Sequence, residues 1–260
     1  MSVTQRTLVG WTMMLTVLLS FTAVAHATAS KDGRAKSHRP RGLPVSFEAN
    51  RGQTDPSVKF LARGEHLSLF LAPDEVVFAI APMRSAECAA QHETPSVECG
   101  MDVVDDSSPA VLRMRLKGAD RNPQLVGLGR LPGTVNYFVG NDPTKWQTKI
   151  PTYATVQYRT VYPEIDLVFY GDSAGLEYDF IVKPGGNPAR IRVSYEGAKN
   201  LAIDRHGNLV FELDGRTLTQ QPPMVYQEIA GSRRTVPGRY VIHTRRNRSQ
   251  GGTSADVVHA

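Results

Sequence analysis

From residue 43 onward, apolar side chains recur at every second position in short runs, and Gly, Pro, Asn and Asp cluster between the runs. In 111–116, Leu112, Met114 and Leu116 share one face of an extended chain while Arg113 and Arg115 take the other. A two-residue period with one apolar and one charged row marks a strand with one buried face. The same reading predicts strands over 58–62, 67–71, 76–80, 165–170, 176–182, 191–195, 201–203, 209–213, 224–229 and 238–243. The clusters 171–175 and 204–208 separate adjacent runs and predict hairpin turns. Beyond the first 30 residues no stretch sustains helical periodicity with caps, and 152–161 reads as one short helical turn at most. Strands roughly every 8–12 residues, joined by such turns, predict an all-β fold of sandwich-like, double-sheet architecture. Leu131-Pro132-Gly133 and Gly140-Asn141-Asp142-Pro143 both break structure, which places a boundary between two lobes near 130–150.

The first residues follow another pattern. Arg6 precedes an uncharged apolar run from Leu8 to Val24, and Ala25-His26-Ala27 follows it. A basic start, an apolar middle and small residues at the cut are the parts of a secretory signal peptide, here 1–27, with Ala25 and Ala29 as alternative sites of cleavage. An uncleaved membrane anchor is the rival, since the run is long enough to span a bilayer, although Gly10, Thr12, Thr16, Ser20 and Thr22 dilute it. Residues 28–42 lack apolar periodicity and read as a basic flexible linker. The all-β domain then covers 43–243, and 244–260 forms a polar, Arg-rich, disordered tail. The expected location is outside the cytoplasm: secreted, periplasmic or at the cell surface.

Composition narrows the function. Of the 260 residues 41% are hydrophobic, so a packed core is expected rather than disorder. The formal charge is +5, but the basic residues concentrate in 31–41 and 233–248, and the segment between them is net acidic. A nucleic-acid groove needs cations on the folded surface, so no nucleic-acid partner is expected. The only cysteines, Cys88 and Cys99, flank a polar stretch, and in an oxidising compartment they can close a disulfide over a surface loop; two free thiols are the alternative.

Candidate chemistry is sparse. Glu177 and Asp179 lie two apart in a predicted strand and share one face, and Glu164 and Asp166 are spaced alike. Paired carboxylates can hydrolyse glycosides across a cleft. The simpler reading puts Leu176, Tyr178 and Phe180 inward and leaves the acids facing water. The same acids, with Asp142 and Asp172, have the oxygen chemistry for calcium, but no EF-hand or related spacing is present, so neither metal nor cofactor is expected. The nucleophile elbow, zinc-protease helix, P-loop and dinucleotide fingerprint are all missing from the sequence. Among Trp146, Tyr153, Tyr158, Tyr162 and Tyr170, core packing is the expected role for most. Trp146, between Lys145 and Gln147, is the candidate for exposure to a sugar or protein. Asn50, Arg51, Gln53 and Asp55 form a polar loop before a strand and are either a recognition loop or a self-satisfied turn.

Several segments carry a resemblance: 43–55 (Leu-Pro-Val-Ser-Phe-Glu-Ala-Asn-Arg-Gly-Gln-Thr-Asp), 58–64, 136–143 with Trp146, 161–171 (Val-Tyr-Pro-Glu-Ile-Asp-Leu-Val-Phe-Tyr-Gly) and 176–180. As a set, over roughly 43–242, they resemble the N-terminal domain of large exported bacterial proteins that carry SBBP (β-propeller) repeats. The resemblance brings no assigned activity. It implies a domain normally followed by a repeat array, and the expectation set beside it is a non-catalytic structural or adhesion-type module whose partner is unknown, with glycans or cell-surface proteins as candidates and the membrane touched only through the leader if uncleaved. A carbohydrate-binding module is the alternative, and a glycosidase-type enzyme ranks below both. The 85–108 stretch reads as an insertion relative to that family. The repeats are absent before Ala260, which reads as a truncated or frame-shifted gene product.

Overall fold

The computed structural model describes residues 12–19, 45–64, 67–81, 108–172, 175–229, 232–245 and 254–258. Their strands are β1 (Thr12–Leu19), β2 (Phe47–Ala49), β3 (Phe60–Arg63), β4 (Leu67–Leu71), β5 (Val76–Ile80), β6 (Ala110–Leu116), β7 (Gln124–Tyr137), β8 (Gln147–Tyr162) and β9 (Ile165–Asp172). They continue with β10 (Gly175–Val182), β11 (Arg192–Glu196), β12 (Lys199–Ile203), β13 (Leu209–Leu213), β14 (Arg216–Gln220), β15 (Met224–Ile229), β16 (Ser232–Val236), β17 (Ile242–Arg245) and β18 (Ser254–Val258). Among the described residues the helical content is two short 3-10 turns, Pro143–Lys145 and Pro188–Arg190. The fold is all-β, as the two-residue period requires.

One large sheet runs in the order β16-β15-β1-β10-β9-β8-β2-β3-β4-β5-β6-β11-β18-β17, with β7 paired to β8 off this path. The sheet curls on itself. Tyr158 of β8 donates its hydroxyl to the Ala72 carbonyl beyond β4 at 3.1 Å, and Tyr178 of β10 meets Tyr195 of β11, although these strands stand far apart in the sheet order. The curl makes two facing layers, and the apolar rows fill the space between them: Phe47, Leu69, Phe78, Leu112, Phe169 and Phe180 are all buried there. Each such burial removes about 1.5–3 kcal/mol worth of apolar surface from water. A three-stranded meander, β12-β13-β14, adds Leu209, Phe211 and Leu218 to the same core, with Phe211 stacked on Tyr195 at 5.5 Å.

Two sequence expectations about local structure need correction. The 152–161 stretch is no helical turn but the heart of β8, paired with β7 on one side and β9 on the other. Its Thr, Val and Tyr content favours extended chain, and Ile150, Thr152, Val156 and Tyr158 bury alternate positions; a polar residue in the buried row hid the period. The neighbourhood of 130–150 forms the arms and tip of this long β7–β8 hairpin, with register shifts absorbed at Lys149 and Thr160, both at positive φ. Within the polar tail, 254–258 pairs with β11 and β17; Val257 stands opposite Val193 and Ile242, which the Arg-rich composition nearby concealed. The second expectation, acids facing water, fails at Asp166 and Asp179, which are buried.

Candidate functional site

The loop 50–55 is built from its own side chains. Asn50 donates through Nδ2 to the carbonyls of Asp55 and Val58, each at 2.8 Å, and accepts the Gly52 N–H on Oδ1. Gln53 accepts the Arg51 N–H and donates to the Ala49 carbonyl. Asp55 accepts the Ser57 hydroxyl and N–H, and these two bonds hold its carboxyl below the usual carboxylate range. Asn50, Gln53 and Asp55 are therefore occupied in shaping the turn, while the Arg51 side chain projects from an exposed position. Gly52 sits at φ +111°, and a Cβ there would stand 3.3 Å from Gln147 Nε2, so the loop lies against the start of β8.

The same end of the molecule carries an aromatic knob. Beyond β7 the chain turns through Gly140 into the Pro143–Lys145 turn, which Asp142 caps by accepting the Thr144 N–H and hydroxyl; both bonds lower its carboxyl pKa. Trp146 donates its indole N–H to the Gly140 carbonyl at 3.1 Å, closing the loop, and packs edge-on against Phe138, with ring centroids 5.1 Å apart. Phe138 is 62% exposed, Val139 73% and Trp146 36%. Below the knob, Tyr137 donates to the buried Glu48 at 2.6 Å and accepts from Arg63 Nε at 3.0 Å, and the Arg63 guanidinium also lies over the Tyr137 ring. Burial, then the Glu48 bond, raises the Tyr137 pKa. This clamp joins β2, β3 and β7 and gives the knob a rigid root.

Elsewhere the chemistry-bearing groups serve the fold. Asp166 accepts the Thr160 N–H (2.7 Å) and Gln157 Nε2 (2.8 Å) and pairs with Lys183 Nζ at 2.7 Å. That clamp holds Thr160 at φ +54°, a costly backbone state for a β-branched residue. Asp179 is 0% exposed and accepts the Tyr170 hydroxyl at 3.0 Å, and burial followed by the Asp179 charge pushes the Tyr170 pKa far up. A depression of about 390 Å³ is lined by Asp74, Glu75, Arg115 and Lys117 among others. Among its lining residues, Glu75 is held on both oxygens by Arg113 and Arg115, and Tyr158 has its hydroxyl engaged. No group of three His, Cys, Asp or Glu side chains able to hold a metal ion occurs among the described residues.

A family model matches residues 47–251. The chain belongs to the family called Domain of unknown function (DUF7948). No curated protein and no solved structure matches it.

Two separate sequence features of this DUF7948 chain, the 50–55 loop and Trp146, thus come together at one end, linked through Gly52 and Gln147. Tyr158 and Tyr162 pack in the core, and Tyr153 and Tyr170 are partly buried. Cys88 and Cys99 lie outside the described residues. Sequence reasoning did not single out Phe138 and Val139, because an aromatic and a valine side by side read as strand; the signal was the Gly140–Pro143 breaker that follows them directly. It also missed a buried ring of polar groups. Gln220 Nε2 donates to the hydroxyls of Tyr178 (2.8 Å) and Tyr240 (3.0 Å), Tyr195 donates to Gln220 Oε1 (2.9 Å), and Tyr178 and Tyr195 meet at 3.2 Å. Tyr240 donates onward to the Gln221 carbonyl. Burial raises the pKa of all three tyrosines, that of Tyr178 to about 12.

Proposed function

We propose that this DUF7948 domain is an exported, non-catalytic structural or adhesion-type β module, of the kind that precedes a repeat array in SBBP-repeat proteins, and that its leader (1–27) is removed on export. The observation that carries this reading is the Phe138–Val139–Trp146 knob. Three apolar side chains exposed on one stiffly rooted loop are costly in water and fit a partner's pocket, where burying Phe138 and Val139 is worth about 1.5–3 kcal/mol each. Apolar side chains this exposed suit contact with a protein surface at the cell exterior better than enclosure of a small substrate. Two of the four carboxylates weighed for hydrolysis are tied into the fold, Asp179 to Tyr170 and Asp166 to Lys183.

A carbohydrate-binding module is the second reading, favoured by the partly exposed Trp146 ring. A glycan array separates the two. The adhesion reading expects no specific glycan signal, whereas specific binding that disappears in Trp146→Ala would replace it with the carbohydrate reading. Turnover of a polysaccharide abolished by Glu177→Gln would overturn both.

A further inference from the structure

We infer that the gap between β10 and β15 is a strand-accepting slot, filled by the leader before cleavage and afterwards by an apolar, acid-free strand of a partner protein. The inference rests on the reading of 1–27 as a removed leader.

The slot is defined by the segment lying in it. β1 pairs antiparallel with β10, from Met13 opposite Val182 to Leu19 opposite Leu176, and antiparallel with β15, from Thr12 opposite Glu228 to Thr16 opposite Met224. Residues 13–16 are bracketed on both sides. Since both neighbours run antiparallel to β1, β10 and β15 run parallel to each other, about 9.5 Å apart at two strand spacings, too far to bond directly. Loss of β1 would therefore open two edges at once, each with a row of unpaired N–H and C=O groups.

The β10 wall is largely buried. β10 holds the buried Tyr178, Phe180 and Val182 on one face and the buried Asp179 on the other; it contains no Lys or Pro and keeps an unbroken register along β1. Strands meant to stay open are defended by charge, Pro or bulges. β16, an outer margin of the sheet, is defended in that way by the exposed Arg233 and Arg234. β10 has no Lys, Pro or bulge; its charges are the two acids Glu177 and Asp179, which select the occupant by charge and leave the backbone ladder open.

The register also specifies the occupant. Positions 13, 15 and 17 stand opposite Val182, Phe180 and Tyr178, which calls for apolar residues there. Positions 16 and 18 stand opposite Asp179 and Glu177, where an acidic residue would meet a carboxylate across the ladder. Residues 28–260 offer no such strand: 28–42 is basic, 82–107 is rich in acids, 246–253 is polar, and every other described strand already has its place in a sheet. The occupant is assigned to a partner protein, which supplies it by strand addition.

The test uses the full chain with a protease site inserted between Ala27 and Thr28, cut after purification. The probe is a labelled peptide of the Thr12–Leu19 sequence with lysines at each end for solubility. The cut protein should exchange its leader for the peptide, saturably and one per chain. The amides of 176–182 should lose hydrogen-exchange protection as the leader leaves and regain it with the peptide. A peptide with proline at the positions of Met14 and Thr16 should bind at least about tenfold more weakly, because ladder hydrogen bonds are gone. If the cut chain aggregates, added peptide must keep it soluble. Unchanged protection after cutting, no saturable binding, equal binding of the proline peptide, or aggregation that the peptide does not prevent would each overturn the slot. Intact mass of the exported protein tests the leader separately: retention of 1–27 defeats the vacancy and the partner, whatever the peptide shows.

Discussion

Replacing Gln220 by leucine removes the centre of the polar ring while keeping most of its volume. The side chain is 0% exposed and makes three hydrogen bonds, accepting from Tyr195 and donating to Tyr178 and Tyr240. The proton assignment closes consistently: Tyr195 donates to Gln220, Gln220 donates to Tyr178, and Tyr178 donates to Tyr195. A neutral hydrogen bond contributes about 1 kcal/mol net, and a buried hydroxyl left without a partner costs about 1–3 kcal/mol. In Gln220→Leu, Tyr240 keeps its bond to the Gln221 carbonyl and Tyr178 and Tyr195 keep each other, so the desolvation cost falls chiefly on the one hydroxyl proton that loses its acceptor. Three lost bonds and one stranded donor, less the apolar transfer gained by leucine, leave about 2–4 kcal/mol of destabilisation. Urea unfolding should show a lower midpoint at unchanged slope. In a double-mutant cycle with Tyr195→Phe, the two losses should combine to less than their sum, since phenylalanine strands no hydroxyl. A cost below about 1 kcal/mol, or strict additivity, would show that the ring does not pin β10, β11 and β14 together.

Asp166→Ala should cost about 3 kcal/mol in urea unfolding, because Lys183 loses its partner and the positive-φ backbone at Thr160 loses the acceptor of its N–H; a cost near zero would remove the clamp from the account. Gly127→Ala should lower the melting temperature through a clash, since a Cβ there would lie 2.6 Å from Tyr153 Cγ; unchanged stability would mean that the ring moves aside freely. Alkaline unfolding should begin near pH 10. The folded pKa of Tyr178 is raised to about 12 from an ordinary value of 10, so the unfolded state releases its proton first, and the stabilisation present below pH 10 is lost as the pH climbs towards 12. Tyrosinate absorbance from the buried tyrosines should then rise together with loss of near-ultraviolet dichroism, and ionisation preceding unfolding would contradict their burial.

How far the sequence reveals this molecule depends on whether burial follows a local period. Val76, Phe78 and Ile80, or Leu112 and Met114, bury every second residue, and their strands were legible at once. β8 was not, because Thr152 occupies a buried position and the bulges at Lys149 and Thr160 shift the phase. The acids beside Tyr178 read as a wet row because alternation locates faces but not what covers them; Asp179 is enclosed on the second face. Gln220 and the tyrosines around it come from four separate segments, so their meeting depends on the curl of the sheet, which no local pattern encodes. Trp146 was visible through its polar neighbours, whereas Phe138 and Val139 become a surface feature only because the loop through Gly140 turns them outward.

Saturation binding of the leader-free domain to intact cells, untreated or shaved with protease, tests the adhesion reading most directly when the unaltered chain is compared with a Phe138→Ser, Val139→Ser double variant that retains its melting temperature. Saturable binding that shaving abolishes and the double variant weakens by at least about tenfold is the predicted result. Equal binding by the two proteins would contradict it, as would binding that survives shaving.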